Sequence, residues 1–331
     1  MYKFVANLDK DEYEKFIKDY NNTPITQEYN WALVKNNWDN ILFGLYKNNK
    51  LIGVSLMLIK KTYFGIKLMY APRGFLIDYK DVESLEAFTQ ELKKYAKINK
   101  IFLIKIDPLI LNNEYYKDDF IGPKFLDNNR NIKFDNLKKI GFIHNGFGKD
   151  IGEYIQPRFN MMVPLIDCYG NKLTNEQLLK NIKKKNKNQI GEYHIKRGIE
   201  FNISNDIDEF YRLISYTEKR QKINLRDMNY FKRLLDSYKD RSKIFIGSIN
   251  LDKYLEFIEN EYKNKEQELL IEKRKLIQEL KEKNGNIINL CTALVILPIN
   301  KKDTRIMEYL YAGSNTDIFS TLAVPSGLIY E

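Results

Sequence analysis

A chain of 331 residues, 44% hydrophobic and 13% aromatic, can bury two cores of ordinary domain size, which excludes a disordered protein. The formal net charge of +10 and a pI near 9.1 favour polyanionic partners: nucleic acid, a phosphate-bearing substrate or an acidic membrane surface. Heavy use of Lys, Ile and Asn also fits nucleotide bias in the source genome and discounts part of that charge. Cys168, Cys291, His144 and His194 stand at no metal-binding spacing and read as structural, and no run is apolar enough for a signal peptide or a membrane span, so a cytoplasmic location is expected.

Residues 9–19 read as an amphipathic helix with Tyr13, Phe16 and Ile17 on one face. Residues 41–46 and 51–59 alternate as strands around Asn48-Asn49, a hairpin turn signal, and 67–70 continues the sheet into Ala71-Pro72-Arg73-Gly74. Val82, Leu85, Phe88, Leu92 and Tyr95 share one face of a helix, and 101–106 is a strand ending on Asp107-Pro108. This order suits an α+β domain with helices over a mostly antiparallel sheet. The Asn-rich stretch 109–130 is irregular, 134–140 is a helix closed by Gly141, and the first domain, 1–149, is expected to end near Lys149.

In the second domain, 150–331, a strand is expected over 159–165, a helix over 175–182, then a basic run and helices over 207–222 and 228–238. Strand-like runs at 243–249 and 287–297 flank a charged stretch, 251–285, and a last strand over 306–312 turns at Gly313-Ser314-Asn315. In that stretch Leu251, Leu255, Ile258, Tyr262, Leu269, Leu276 and Leu280 recur at steps of four and three, a coiled-coil seam interrupted by charge at Glu266 and Lys273. One straight helix would carry the chain roughly 50 Å away. Neighbouring flanking strands therefore require an antiparallel helical hairpin that turns near 262–266. The similar element order of the two halves suggests a duplicated fold.

Gln27, Trp31, Lys35 and Trp38, then Tyr70-Ala71-Pro72-Arg73-Gly74 with Asp78-Tyr79, then Lys105-Ile106-Asp107-Pro108 form a series that resembles the FemABX peptidyltransferases. Ile155-Gln156-Pro157-Arg158, Thr217 with Arg220, Arg226 through Tyr230-Phe231, and Tyr309-Leu310-Tyr311-Ala312-Gly313-Ser314 extend it in family order over nearly the whole chain. The resemblance implies two GNAT-like (acetyltransferase-like) domains with the coiled-coil hairpin inserted in the second. It implies an aminoacyltransferase that moves an amino acid from aminoacyl-tRNA to the stem-peptide side-chain amine of a peptidoglycan precursor, building an interpeptide bridge. The arm resembles those of tRNA-handling proteins, which implies tRNA contact, and is shorter than is common in the family.

By the same resemblance Lys35 and Arg226 hold phosphates, Tyr230 and Tyr311 shape the muramyl-peptide groove, and Asp107 orients the acceptor amine, whose attack on the ester needs a proton acceptor. Asp107 before Pro108 also fits a strand-terminating turn, Arg73 reads as a turn residue, and Trp31 and Trp38 read as core. Tyr311 is preferred to Tyr309 on the expectation that the strand sends only one of them to the cleft face. Lys183, Lys184, Lys185 and Lys187 fit equally a tRNA-backbone contact and a solvated helix end. No cofactor is expected beyond aminoacyl-tRNA as co-substrate. The expected partners are aminoacyl-tRNA, a UDP-muramyl-pentapeptide or lipid-linked precursor, and the inner membrane face as a peripheral contact.

Family members continue past the position of Glu331 through another helix and strand to a Phe-Lys-containing segment, so a C-terminally incomplete chain with lower stability and impaired activity is expected. A non-catalytic tRNA- or RNA-binding protein stays open as an alternative, as does a GNAT-type aminoacyl-tRNA transferase with another acceptor. The chain carries no Arg/Gln-x-x-Gly-x-Gly/Ala pyrophosphate loop at a strand-to-helix junction, which counts against an acetyl-CoA enzyme.

Overall fold

The structure is a computed structural model that describes residues 1–62, 65–118, 120–122, 124, 129–147, 155–182, 190–262, 267–299, 306–322, 324–325 and 328. The chain divides into two compact units, Met1–Asn181 with Pro298–Ile306, and Ile182–Leu297 with Met307–Glu331. The division falls later than the expected boundary at 149. Residues after it are tied to the first unit: the Asn181 amide exchanges two bonds with the Ile121 backbone at 3.0 and 2.8 Å, and the Arg73 guanidinium donates to the Pro157 carbonyl at 2.7 Å.

The first unit is built from β1 (Tyr2–Ala6), α1 (Lys10–Asp19), α2 (Tyr29–Val34), β2 (Asp39–Lys47), β3 (Lys50–Lys61), β4 (Lys67–Ala71), α3 (Val82–Ile98), β5 (Ile101–Ile106), α4 (Arg130–Lys139) and α5 (Asn175–Asn181). The strands lie in sequence order, antiparallel except for β4 and β5, which run parallel because α3 crosses over between them. Asp9 caps α1 by accepting from the Asp11 and Glu12 amides, and Asn48 and Asn49, at φ +52° and +64°, make the β2–β3 hairpin turn. The core packs Phe43, Leu45, Met57, Met69 and Phe75 against Leu85, Phe88 and Leu92 of α3.

Residues 159–165 form no strand among the described residues. Phe159, Met161, Met162, Val163 and Leu165 are exposed, and the Leu165 carbonyl accepts from the Leu173 amide. An alternating apolar pattern marks the faces of a strand but does not supply the edge its amides would pair with.

The second unit carries α6 (Glu192–Lys196), β6 (Ile199–Ser204), α7 (Ile207–Gln221), α8 (Met228–Tyr238), β7 (Ser242–Asn250), α9 (Leu251–Tyr262), α10 (Gln267–Asn284), β8 (Ile287–Ile296) and β9 (Glu308–Ser314). Its sheet, in the order β6-β7-β8-β9, is antiparallel throughout. As the closure argument requires, β7 and β8 are neighbours, with Ile249 opposite Ile288 and the Leu251 amide donating to the Asn286 carbonyl at the base of the helix pair. Arg274 meets Glu259 at 2.8 Å and Lys281 meets Asp252 at 2.5 Å between α9 and α10; residues 263–266, where the turn was expected, lie outside the described residues.

Of the expected seam, Leu251 and Ile258 are buried and Leu255, Tyr262 and Leu280 pack against the same core, while Leu269 and Leu276 give way to their neighbours. Ile258, Leu270 and Ile277 are buried in one cluster with Leu322, Val324 and Leu328, while Leu276 is exposed. Gly313, expected in a turn, lies inside β9: a Cβ there would sit 2.5 Å from the Leu213 carbonyl oxygen and 2.6 Å from Ile214 Cα, so β9 approaches the α7 backbone more closely than any side chain allows. No helix among the described residues is long and apolar enough to cross a membrane.

Candidate functional site

Strand alternation gives the first sheet two distinct faces. Met57, Met69, Ala71, Ile104 and Ile106 turn to the core under α3. Their neighbours turn the other way, in the pairs Leu58 with Tyr70, Lys60 with Leu68, Leu68 with Leu103, and Tyr70 with Lys105. The end of α2 comes to this second face, because Lys60 Nζ donates to the Asn37 carbonyl at 3.2 Å and lies 5.6 Å from the Trp38 ring centre. Lys35, the C-cap of α2, is half-buried with its Nζ 4.9 Å above the Trp31 ring. Of the two tryptophans expected in the core, Trp31 is buried and Trp38 is half-exposed beneath Lys60.

Asp107 follows β5 and reaches the same face. Its Oδ2 accepts from the Tyr70 hydroxyl and its Oδ1 from the Arg73 backbone amide, each at 2.6 Å. Burial raises the carboxyl above its ordinary range; the bonds from Tyr70 and Arg73 and the charges of Arg73 and Lys105 pull in the opposite direction. Burial, and then the charge of Asp107, hold the Tyr70 hydroxyl far above its usual value, while a bond from the Gln156 side chain opposes them. Tyr70 and Gln156 were not singled out from sequence for a role, although both stand in the quoted motifs.

The turn that supplies the Arg73 amide is held from behind. β4 pairs with β3 from Leu58 to Lys61 and then leaves it at Pro72. At Leu56 the fully buried Gln27 side chain takes the place of a strand: Nε2 donates to the Leu56 carbonyl at 3.1 Å and Oε1 accepts from its amide at 3.0 Å. Nε2 also reaches the Pro72 carbonyl at 2.8 Å, where the Thr26 hydroxyl joins it at 3.2 Å. Arg73 takes φ +55°, and Gly74 leaves room for the Gln27 amide, which a Cβ would meet at 2.7 Å.

In the second unit Asp227 caps α8 by accepting from the Tyr230 amide at 2.7 Å. The exposed Arg226, just before it, has its guanidinium 5.4 Å from the Tyr230 ring. Tyr311 of β9 donates to the Tyr230 hydroxyl at 3.2 Å, and both rings pack edge-on against Phe231. Burial, then the neighbouring Tyr311, push the Tyr230 hydroxyl well above its usual range. Regular alternation would send Tyr309 and Tyr311 to the same face. A β-bulge separates them, with Leu294 opposite Tyr311 and Val295 opposite Tyr309. Arg220 grips the end of β9 through the Ser314 carbonyl at 2.9 Å, and the Ser314 amide donates to the Thr217 hydroxyl at 3.1 Å.

The expected site residues thus form two sets: Lys35 and Asp107 on one face of the first sheet, and Arg226, Tyr230 and Tyr311 at one corner of the second unit. Lys183, Lys184, Lys185 and Lys187 lie outside the described residues. Among the described residues no group of three His, Cys, Asp or Glu is placed to hold a metal ion.

The FemAB family model matches residues 8–271. The lipid II:glycine glycyltransferase of Staphylococcus haemolyticus is 28% identical over 305 residues, 90% of this chain and 68% of that protein. The proteins of the same name from Staphylococcus epidermidis and Staphylococcus aureus are 29% and 27% identical over 70% and 74% of this chain. The chain spans 52% and 55% of their lengths, about half. The crystal structure of FemX matches with a TM-score of 0.75 at 23% identity, covering 99% of this chain and 84% of that one. That likeness shows the fold, an α+β chain with two sheets as expected.

Proposed function

The chain belongs to the FemAB family, and from that premise we propose that it is an aminoacyltransferase building the interpeptide bridge of peptidoglycan. The donor is aminoacyl-tRNA, with no further cofactor, and the acceptor is a stem-peptide side-chain amine. The names of its relatives, lipid II:glycine glycyltransferases, favour a lipid-linked acceptor and glycine as the residue transferred. The work is done in the cytoplasm, against the inner face of the membrane where such a precursor is held.

The observation that carries the reading is the Asp107 carboxylate. An amine attacking the ester of aminoacyl-tRNA must shed a proton as the new amide bond forms and the tRNA hydroxyl leaves. Each Asp107 oxygen already accepts one bond, from Tyr70 or Arg73, and keeps a lone pair for the incoming ammonium. Burial raises its basicity, and the two bonds fix its direction. Lys35, Lys60 and Lys105 on the same face supply positive charge for the precursor's pyrophosphate, and Arg226 beside Tyr230 and Tyr311 offers the forked donor suited to phosphate.

The test is transfer of radiolabelled glycine, and of a mixed aminoacyl-tRNA pool, to lipid-linked precursor and to UDP-muramyl-pentapeptide, by this chain and by the longest product of its gene. Transfer supports the reading. Absence of transfer to any acceptor with tRNA still bound would replace it with the RNA-binding one. Lys183→Glu with Lys185→Glu decides the basic run: weaker tRNA binding with a flatter salt dependence supports a tRNA contact, and unchanged affinity across a salt series makes it a solvated helix end.

A further inference from the structure

One edge of the first sheet is β5, and around its start three large apolar side chains are exposed: Ile66 at 47%, Ile98 at 79% and Phe102 at 85%. Ile66 and Phe102 line an open depression of about 370 Å³ together with Ala96, Lys97, Lys100 and Ile101, and Ile98 stands on the same helix end between Lys97 and Lys100 in sequence. The ionic character here has one sign. Between Leu92 and Ile106 the sequence carries Lys93, Lys94, Lys97, Lys100 and Lys105 and no Asp or Glu, and none occurs from Asn40 to Ile77 either. Lys94 is paired with Glu91 and Lys93 donates to the Ile140 carbonyl, whereas no ion pair among the described residues engages Lys97 or Lys100.

Clustered exposed apolar side chains mark an interaction surface, and its rim states the partner's charge. A second copy of this chain meeting the same patch would set Lys97 and Lys100 against their own like. A nucleic acid would use the lysines but give Ile98 and Ile66 nothing apolar to enter. An anionic bilayer satisfies both: aromatic and aliphatic side chains enter at headgroup depth while lysines reach past them to anionic lipid. We propose that Ile66, Ile98 and Phe102, ringed by Lys97 and Lys100, dock this protein on an anionic membrane surface. The purpose of that docking, bringing the first sheet to a precursor held in the bilayer, rests on the function proposed above; the docking itself does not.

The experiment is sedimentation with phosphatidylglycerol–phosphatidylcholine vesicles and with pure phosphatidylcholine vesicles. It compares the native chain with Ile98→Ser/Phe102→Ser and Lys97→Glu/Lys100→Glu, whose folding is checked by circular dichroism. Native protein is expected to bind the anionic vesicles, and each double variant to bind at least tenfold more weakly; the lysine contribution should fade with added salt. Transfer to soluble UDP-muramyl-pentapeptide should be unchanged in both variants, and transfer to precursor embedded in vesicles should fall. The proposal is overturned if native protein ignores anionic vesicles, if the folded variants bind as well as native protein, or if the substitutions dissociate a dimer or weaken tRNA binding instead. Vesicle binding that follows the variants in a protein without transferase activity sustains the docking and removes the enzymatic reading, so the two failures are separable.

Discussion

Replacing Gln27 tests whether a side-chain amide can hold the turn beside Asp107 by standing in for a strand. In Gln27→Ala the Leu56 amide loses its side-chain acceptor in a fully buried place, the Leu56 carbonyl keeps only the long 3.4 Å bond from the Ser55 hydroxyl, and Pro72 keeps the Thr26 hydroxyl. At about 1–3 kcal/mol for each stranded buried group, with some loss of packing, the change costs roughly 3–6 kcal/mol. That is a large part of the usual 5–15 kcal/mol or so. At about 2–4 °C per kcal/mol for a unit of this size, the melting temperature should fall by roughly 6–24 °C. Gln27→Glu keeps the shape but, ionised, donates to neither carbonyl. Its folded pKa must therefore lie above the unfolded value of about 4.3. Stability is retained below that unfolded value and is lost as pH rises toward the folded one, so the gap to the native protein in thermal melts should widen from pH 4 to 7. A melting temperature of the Ala variant within about 2 °C of native, well below the estimate above, or a Glu variant whose gap narrows as pH rises, would refute the reasoning.

Asp107→Asn is expected to slow transfer by about 10²–10⁴. In the native protein the acidic limb of the rate–pH profile should lie above the ordinary carboxylate range, since burial raises the Asp107 carboxyl, and initial rates across pH should show that limb flattened in the variant. Cys291, 1% exposed and pushed up to about 12 by burial, should resist a disulfide reagent that reacts at once with the exposed Cys168, giving one reactive thiol in the folded protein and two in denaturant. Gly313→Ala should destabilise the second unit by about 3 kcal/mol in urea unfolding, because its Cβ meets the α7 backbone, which cannot rotate aside.

The helix pair was legible because β7 and β8 read clearly as strands and one straight helix cannot return the chain between them. Its buried face was legible at Leu251, Leu255, Ile258, Tyr262 and Leu280 and missed at two positions of α10. Leu269-Leu270 and Leu276-Ile277 each offer two adjacent apolar residues, and periodicity alone fits either; Leu270 and Ile277 are chosen by packing against Leu322, Val324 and Leu328, far along the chain. β1 and β6 escaped notice because both lie at sheet edges, where polar residues such as Lys3, Glu200 and Asn202 dilute the strand signal. The residues 159–165 failed in the opposite sense, since an alternating apolar pattern describes a strand's faces and says nothing about whether a neighbour is present to pair with it.

The candidate site shows the same division between residues and their connections. Asp107, Arg73 and Gln27 all stand in motifs visible in the sequence, yet the group that Arg73 offers to Asp107 is its backbone amide, which every residue but proline possesses. That amide is aimed by φ +55° at Arg73, by the Pro72 carbonyl seated on Gln27 and Thr26, and by the departure of β4 from β3 after Leu58. Substituting the Arg73 side chain therefore leaves the bond to Asp107 in place and removes the tie to the Pro157 carbonyl and the charge that opposes the upward shift of the carboxyl. Substituting Gln27, whose side chain bonds Leu56 and Pro72, shifts the donor itself. The carboxylate's geometry is thus a property of the β3–β4 divergence, and Gln27 is the residue on which that divergence depends.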